Sequence, residues 1–378
     1  YTKMSVSNFP RPPLQWFFIA HPGSDAGSKL AGALLNKFYD LPASTGLRIP
    51  SFLTPKQEDC MPPSWDDPFE NRLNEAEHSM IVLLVDEEMT RTVSGGKGEA
   101  WKQFFADGLK RIQGKEGETT SRHRILGVAV GPDGFEFSEG VNMVRVNEPP
   151  IRQSDHSNAE YNAELDSWVE METPQLALQL SIRAIGLLNP MARPSEMHPP
   201  FKLFLSHAKA DYANKRDHPL RALQYAIAEL PIDGWFDAAD IPPSSQFEER
   251  IQRGIQDCTL LVAFLTDNYA SRPWCQREIL DAKRHEIPIL VANCLEQGEP
   301  RNFPYMGNLP TVNVQSLPMT EAAGQIIDRA VRESLRFHIN RRQMAAMAKD
   351  GETPLATAPE ALTLAHYTDT AAFLYPDP

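Results

Sequence analysis

One order of apolar strands and amphipathic helices runs through this chain twice, and that repetition limits the fold more than any other feature. The segments "FFIAHPGSD" (17–25) and "LFLSHAKAD" (203–211) align without a gap. Each is an apolar run entering a polar loop, with His21 or His207 and Asp25 or Asp211. A helical pattern follows each one, "AGSKLAGALLNKFYD" and "HPLRALQYAIAEL". Then "PFENRLNEAEHSMIVLLVDEEMT" (68–90) parallels "QFEERIQRGIQDCTLLVAFLTDNYA" (246–270), an amphipathic helix leading into an apolar strand with an acidic or polar end. "AWKQFFADGLKRI" matches "PWCQREILDAKRH", and "RHRILGVAV" matches "RHEIPILVANC". A helix is expected to close each unit, near 174–187 and 321–340.

Strands alternating with helices at this length predict right-handed β-α-β crossovers and a parallel sheet covered on both faces. The strands read as continuous apolar runs, as strands buried on both faces do. The expected fold class is therefore α/β: two doubly wound, flavodoxin-like parallel-sheet domains in tandem. They span 14–190 and 200–343, joined by "NPMARPSEMHPP", with 344–378 as a linker or tail. Ligands of such sheets sit beyond the carboxyl ends of the strands, where the strand order switches. In the second unit those ends are the loops Ser206–Asp211, Asp237–Ser245 and Thr266–Trp274, all predicted to converge on Glu278.

Trp274 and Glu278 are four apart at the start of a predicted helix and so share a face. An aromatic plate beside a carboxylate suits a flat, cationic ligand, although Trp274 as core and Glu278 as a solvated helix-start residue are the plainer uses. Neighbouring residues of a strand point to opposite faces, so Ser206 and His207 make a poor hydrolase dyad, and no G-x-S-x-G elbow exists in the chain. Asp237 and Asp240, beside "IPP", suit turn and cap duty as well as chemistry. Cys275 has no histidine aimed at it and reads as a small buried packing residue. The chain has no P-loop and no G-x-G-x-x-G, which removes support for ATP hydrolysis and for dehydrogenase chemistry.

The net charge of −13 argues against a nucleic acid or an anionic membrane as the main partner. No apolar run approaches the ~18–20 residues that cross a bilayer. The four cysteines, Cys60, Cys258, Cys275 and Cys294, form neither a C-x-x-C pair nor a zinc-spaced cluster, so no metal is expected and a cytoplasmic location is the simpler reading. The last residues, "AAFLYPDP", stop within an apolar phrase, which leads us to expect a further domain or regulator after Pro378.

The second unit resembles a Toll/interleukin-1 receptor (TIR) domain. The likeness rests on "KLFLSHAKAD", on "GWFDAADIPPSSQFEERIQRGIQDCTLLVAFLTDNYASRPWCQREILDAK" and on "IPILVANC", in that order over 201–294. Many TIR domains cleave NAD+ at the nicotinamide–ribose bond. The resemblance implies that Glu278, in W-C-x-x-E, is the catalytic carboxylate and that Trp274 walls the pocket. It also implies that the Asp240–Ser245 loop, with Ile241, Pro242, Pro243 and Ser244, assembles copies of the domain and gates the site. That loop has no glycine where D-I-x-x-G is commoner, which predicts a stiffer gate. NAD+ would then be substrate, with no cofactor, and self-association through TIR domains would complete the pocket.

The chemistry is reasonable without the family. Nicotinamide leaves as a neutral molecule, so the site need only place negative charge near the developing oxocarbenium ion and hold the ribose hydroxyls. Ser206, His207, Lys209 and Asp240 are the expected substrate-binding residues, Lys209 being best placed for the diphosphate. In the N-terminal unit the alignment puts Ala20 at the place of Ser206, Trp101 at that of Trp274 and Phe105 at that of Glu278, with "VSGGKGEA" inserted before them. That unit reads as a degenerate, catalytically dead TIR-like copy. What the resemblance implies first is an assembly-activated NAD+ glycohydrolase, with cyclase activity as a further option and, in a bacterium, a role in antiphage defence. The sequence also leaves open a non-catalytic TIR scaffold working by homotypic contact and, less favoured, a deoxyribosyltransferase-like nucleoside enzyme.

Overall fold

The computed structural model describes residues 10–39, 49–53, 60–65, 72–91, 97–113, 122–132, 134, 143–154, 156–189, 201–208, 211, 219–228, 230, 232–236, 246–297, 304–359 and 372–376. The chain forms two compact units, one of residues 1–180 with 190–197 and one of 181–189 with 198–378.

The first unit runs β1 (Leu14–Ala20), α1 (Asp25–Tyr39), β2 (Ser51–Leu53), β3 (His78–Val85), α2 (Glu87–Thr90), α3 (Lys97–Gln113), β4 (His123–Val130), β5 (Val144–Val146) and most of α4 (Asn158–Leu188), whose residues from 181 on belong to the second unit. Its sheet has the order β2-β1-β3-β4-β5, and every pairing is parallel. β3 lies in the middle and buries all eight of its residues, which is why "HSMIVLLV" shows no polar alternation. The edge strands β2 and β5 are three residues each, short enough to offer little unpaired backbone. Helix α4 starts at Asn158 rather than near 174. Ser157 and Glu160 explain the early start with a reciprocal cap: the Glu160 N–H donates to Ser157 Oγ (3.2 Å) while Ser157 N–H donates to Glu160 Oε2 (2.9 Å).

The second unit repeats the plan: β6 (Phe201–Ser206), α5 (Pro219–Ala228), β7 (Ile232–Phe236), α6 (Gln246–Gln256), β8 (Leu260–Leu265), α7 (Pro273–Arg284), β9 (Ile289–Asn293), β10 (Thr311–Asn313) and α8 (Met319–Met347). A single 3-10 turn, Tyr269–Ser271, stands between β8 and α7. The sheet order is β10-β9-β8-β6-β7, again wholly parallel. Read from the second strand of each unit, both sheets have one order, so the tandem doubly wound architecture is the one the sequence predicts. β6 and β8 are neighbours whose connections leave in opposite directions, which makes the gap between their carboxyl ends the switch point. After α8, β11 (Glu352–Pro354) and β12 (Ala372–Leu374) pair in parallel, so the expected tail contains this small ladder. Among the described residues no helix is long and apolar enough to cross a membrane.

Candidate active site at the carboxyl edge of the second sheet

Helix α7 starts with Pro273, whose fixed φ and missing N–H suit a first helical position. It buries Cys275, Glu278, Ile279 and Ala282, a spacing of three and four that puts them on one face toward the core. A glutamate on that face stands out, since glutamate is almost never fully buried unless paired. Glu278 is only 2% exposed, and burying an ionised carboxylate is costly unless hydrogen bonds replace the lost water. Ser206, the last residue of β6 and fully buried, donates its hydroxyl to Glu278 Oε2. The same Oγ lies 2.6 Å from the hydroxyl of Tyr269, which the 3-10 turn after β8 supplies from the interior. Three elements thus bring one carboxylate and two hydroxyls together at the β6/β8 switch point.

Trp274 stands at the rim, 43% exposed, with the Arg277 guanidinium carbon 5.2 Å from its ring centroid. It is therefore a surface plate rather than a core residue. A cation held over an exposed ring in this way is worth roughly 0.5–1 kcal/mol. His207 is buried with Nδ1 3.3 Å from the Leu205 carbonyl. Asp211 ties the first loop to the end of β8, accepting from Thr266 Oγ1 (2.5 Å) and from Asn268 Nδ2. Lys209, Asp240, Ile241, Pro242, Pro243 and Ser244 lie outside the described residues. Cys275 sits in the apolar core of the unit. Burial pushes the Cys258 and Cys294 thiols up to about 12, so neither is a thiolate near neutral pH. Among the described residues no group of three or more His, Cys, Asp or Glu side chains is arranged to hold a metal ion.

Two residues of this neighbourhood, Tyr269 and Arg277, were not among the sequence candidates. The signal for Tyr269 is its place one short turn after a fully buried strand, where a tyrosine that turns inward must find a partner for its hydroxyl. Arg277, three past Trp274 on the same helix, was within reach of its ring by spacing alone.

The corresponding edge of the first unit is filled differently. Trp101 is buried, donates Nε1 to the Cys60 carbonyl (3.1 Å) and has its ring 5.7 Å from that of His21. Phe105 belongs to the apolar core with Phe104, Met89 and Val85. The polar feature there is Asp86, which caps α2 by accepting from the Met89 N–H at 3.0 Å. Burial raises the Asp86 carboxyl above its ordinary value, with the hydrogen bond from Ser24 pulling the other way.

A doubly wound parallel unit with a hydroxyl-held carboxylate at its switch point is the class of site the fold defines. Residues 203–327 match the TIR domain family, so the second unit carries a TIR domain, and Ser206, Tyr269, Trp274 and Glu278 all fall inside it. Over 92 residues, 24% of this chain, the sequence is 29% identical to a protein of Brachypodium distachyon named "Probable 2′ cyclic ADP-D-ribose synthase BdTIR". The match spans 40% of that relative's length. Among solved structures, the TIR domains of the activated Roq1 resistosome, directly recognising the pathogen effector XopQ, are similar over 37% of this chain and 84% of theirs. That overlap has 16% identity and a TM-score of 0.22, too shallow to bear on chemistry.

Proposed function

We propose that the TIR domain is an NAD+ nucleosidase that breaks the nicotinamide–ribose bond, with Glu278 as its catalytic carboxylate. The observation that carries this reading is a buried glutamate at the switch point, held by Ser206, on a helix face that is otherwise apolar. In the reaction the C–N bond breaks with its electron pair going to the pyridine nitrogen, so nicotinamide leaves neutral. Glu278 stabilises the positive charge left on the ribose, and an exposed Trp274 supplies a face for the cationic ring. Water adding to the anomeric carbon, with loss of a proton, gives ADP-ribose. An internal nucleophile of the same molecule gives a cyclic product, the chemistry in the name of the Brachypodium relative. NAD+ is substrate here, and the scheme calls on neither a cofactor nor a metal.

Glu278 is almost inaccessible, so substrate reaches it only when surrounding segments move. That supports activation by self-association, with the 240–244 loop, Lys209 and His207 completing the pocket. The first unit, in this reading, is a degenerate TIR-like copy that serves contact or regulation. The setting we propose is an antiphage effector that drains cytoplasmic NAD+. A non-catalytic scaffold is the second reading, favoured by the first unit, which keeps the architecture with phenylalanine at the glutamate's place. Chromatographic analysis of NAD+ incubated with the full chain over a wide protein concentration range separates the two. The enzyme reading expects nicotinamide release per molecule to rise steeply with concentration. Self-association with intact NAD+ at every concentration would leave the scaffold.

A further inference from the structure

Tyr269 is fully buried, and its hydroxyl lies 2.6 Å from Ser206 Oγ, whose own partner on the other side is Glu278. The proton inventory of this row fixes its direction. Ser206 Oγ has a single proton, and it donates that proton to Glu278 Oε2. With that proton committed, Ser206 can only accept from Tyr269, and the phenol must be the donor. We propose that Tyr269 and Ser206 form a one-way hydroxyl relay that orients the Glu278 carboxylate, which makes Tyr269 a positioning residue of the site. This rests on the reading above that Glu278 is the catalytic group.

The turn bearing Tyr269 is held at both ends. Its N–H donates to the Thr266 carbonyl (3.0 Å), and its carbonyl accepts from the Arg272 N–H (3.1 Å). Asp211 then fixes Thr266 and Asn268 to the loop that follows β6. Ser206 closes β6 and the turn of Tyr269 follows β8, the strand paired with β6, so both hydroxyls come to the switch point. One carboxylate oxygen, Oε2, is thereby held from within the fold.

The first unit supplies an independent argument. The last residue of its first strand is Ala20 where the second unit has Ser206. Four residues past the end of the third strand it has Met89 where the second has Tyr269. The alignment puts Phe105 at the glutamate's place. All three polar positions are apolar together, and Met89 and Phe105 are core residues. A tyrosine hydroxyl kept only for packing has no reason to vanish with the carboxylate; a donor that serves the carboxylate does.

The test is a carbon-13 titration of the Glu278 carboxyl in the full chain, assigned with Glu278→Gln, run beside a nicotinamide-release assay. Removing a donor from a carboxylate favours its protonated form. Ser206→Ala is expected to raise proton affinity about tenfold, and Tyr269→Phe about threefold. The decisive comparison is the double variant: in a serial relay Tyr269→Phe adds nothing once Ser206 is alanine. Ser206→Thr, which keeps the hydroxyl, is expected to restore the wild-type midpoint. An unmoved midpoint in Tyr269→Phe, or the same shift with and without Ser206, would overturn the relay. If midpoints move as stated while no variant and no wild type releases nicotinamide, the relay stands and the NAD+ reading fails. If nicotinamide is released and the midpoints stay put, the relay fails and the NAD+ reading stands.

Discussion

At matched places on two sheets of one strand order, the first unit has Ala20, Met89, Trp101 and Phe105 and the second has Ser206, Tyr269, Trp274 and Glu278. In the first unit the tryptophan is sealed inside at 1% exposure; in the second it stands open at 43%. The first arrangement is ordinary core, built from dispersion and burial. The second withdraws a carboxylate from water and compensates with hydroxyls. Replacing buried charge by well-packed apolar groups is often neutral or stabilising, so the first unit has the cheaper solution to the same geometric problem. The architecture plainly does not need the glutamate. What the second unit gains from it is, on the proposed reading, catalysis.

Exchanging residues between the two units has the largest expected effect. Phe105→Glu puts an unsupported carboxylate where neither serine nor tyrosine exists. It is expected to destabilise the first unit by roughly 3–5 kcal/mol and to create no second active site. Urea unfolding of the variant measures the first effect and nicotinamide release the second. A stable Phe105→Glu protein would mean that this edge is open rather than sealed.

The tryptophans should separate next. Trp101→Ala is expected to cost about 3–5 kcal/mol, the usual loss for a large buried aromatic. Trp274→Ala, at the rim, should stay within about 0.5 kcal/mol of wild type in the same denaturation series.

Acid should affect both units by one mechanism. Burial, with nearby positive charge, lowers His123 in the first unit and His338 in the second to about 4 from 6.5. Each stays neutral in the folded chain while its unfolded counterpart takes a proton. The unfolded state therefore binds more protons, and stability falls as pH drops from 6.5 toward about 4. For the deeply buried His338 the loss is of the order of 3 kcal/mol, and His338→Leu should flatten that part of the stability–pH curve measured by calorimetry. The smallest effect belongs to substrate. Trp274→Ala is expected to raise KM for NAD+ by about 2- to 30-fold, the worth of a cation–π contact of ~0.5–2 kcal/mol, with kcat little changed.

The doubly wound parallel sheets could be read in the sequence because "MIVLLV" and "LLVAFL" are apolar without interruption, as strands buried on both faces are. Glu278 could be picked out because W-C-x-x-E follows such a strand. The depth of its burial could not: four-residue spacing joins it to Trp274, yet one side chain ends in the interior and the other at the rim. Helix periodicity gives direction around an axis and not the height of the neighbouring loops. Tyr269 escaped notice because "TDNY" has the composition of a turn, and only the tertiary meeting with Ser206 turns its hydroxyl into part of a site. The early start of α4 was missed because Pro174 reads as a first helical residue, whereas the cap at Ser157 lies a long way before it.

On the proposed reading the two units differ by a catalytic carboxylate, and one pair of proteins is enough to decide it. Nicotinamide release from NAD+ should be compared for the full chain and for Glu278→Gln, which keeps size and hydrogen bonding and removes the charge, at a concentration where the wild type is active. A fall of about 100-fold or more, with folding intact, is the predicted result for loss of transition-state charge stabilisation. Equal rates in the two proteins would contradict the account and leave the buried glutamate without a part in turnover.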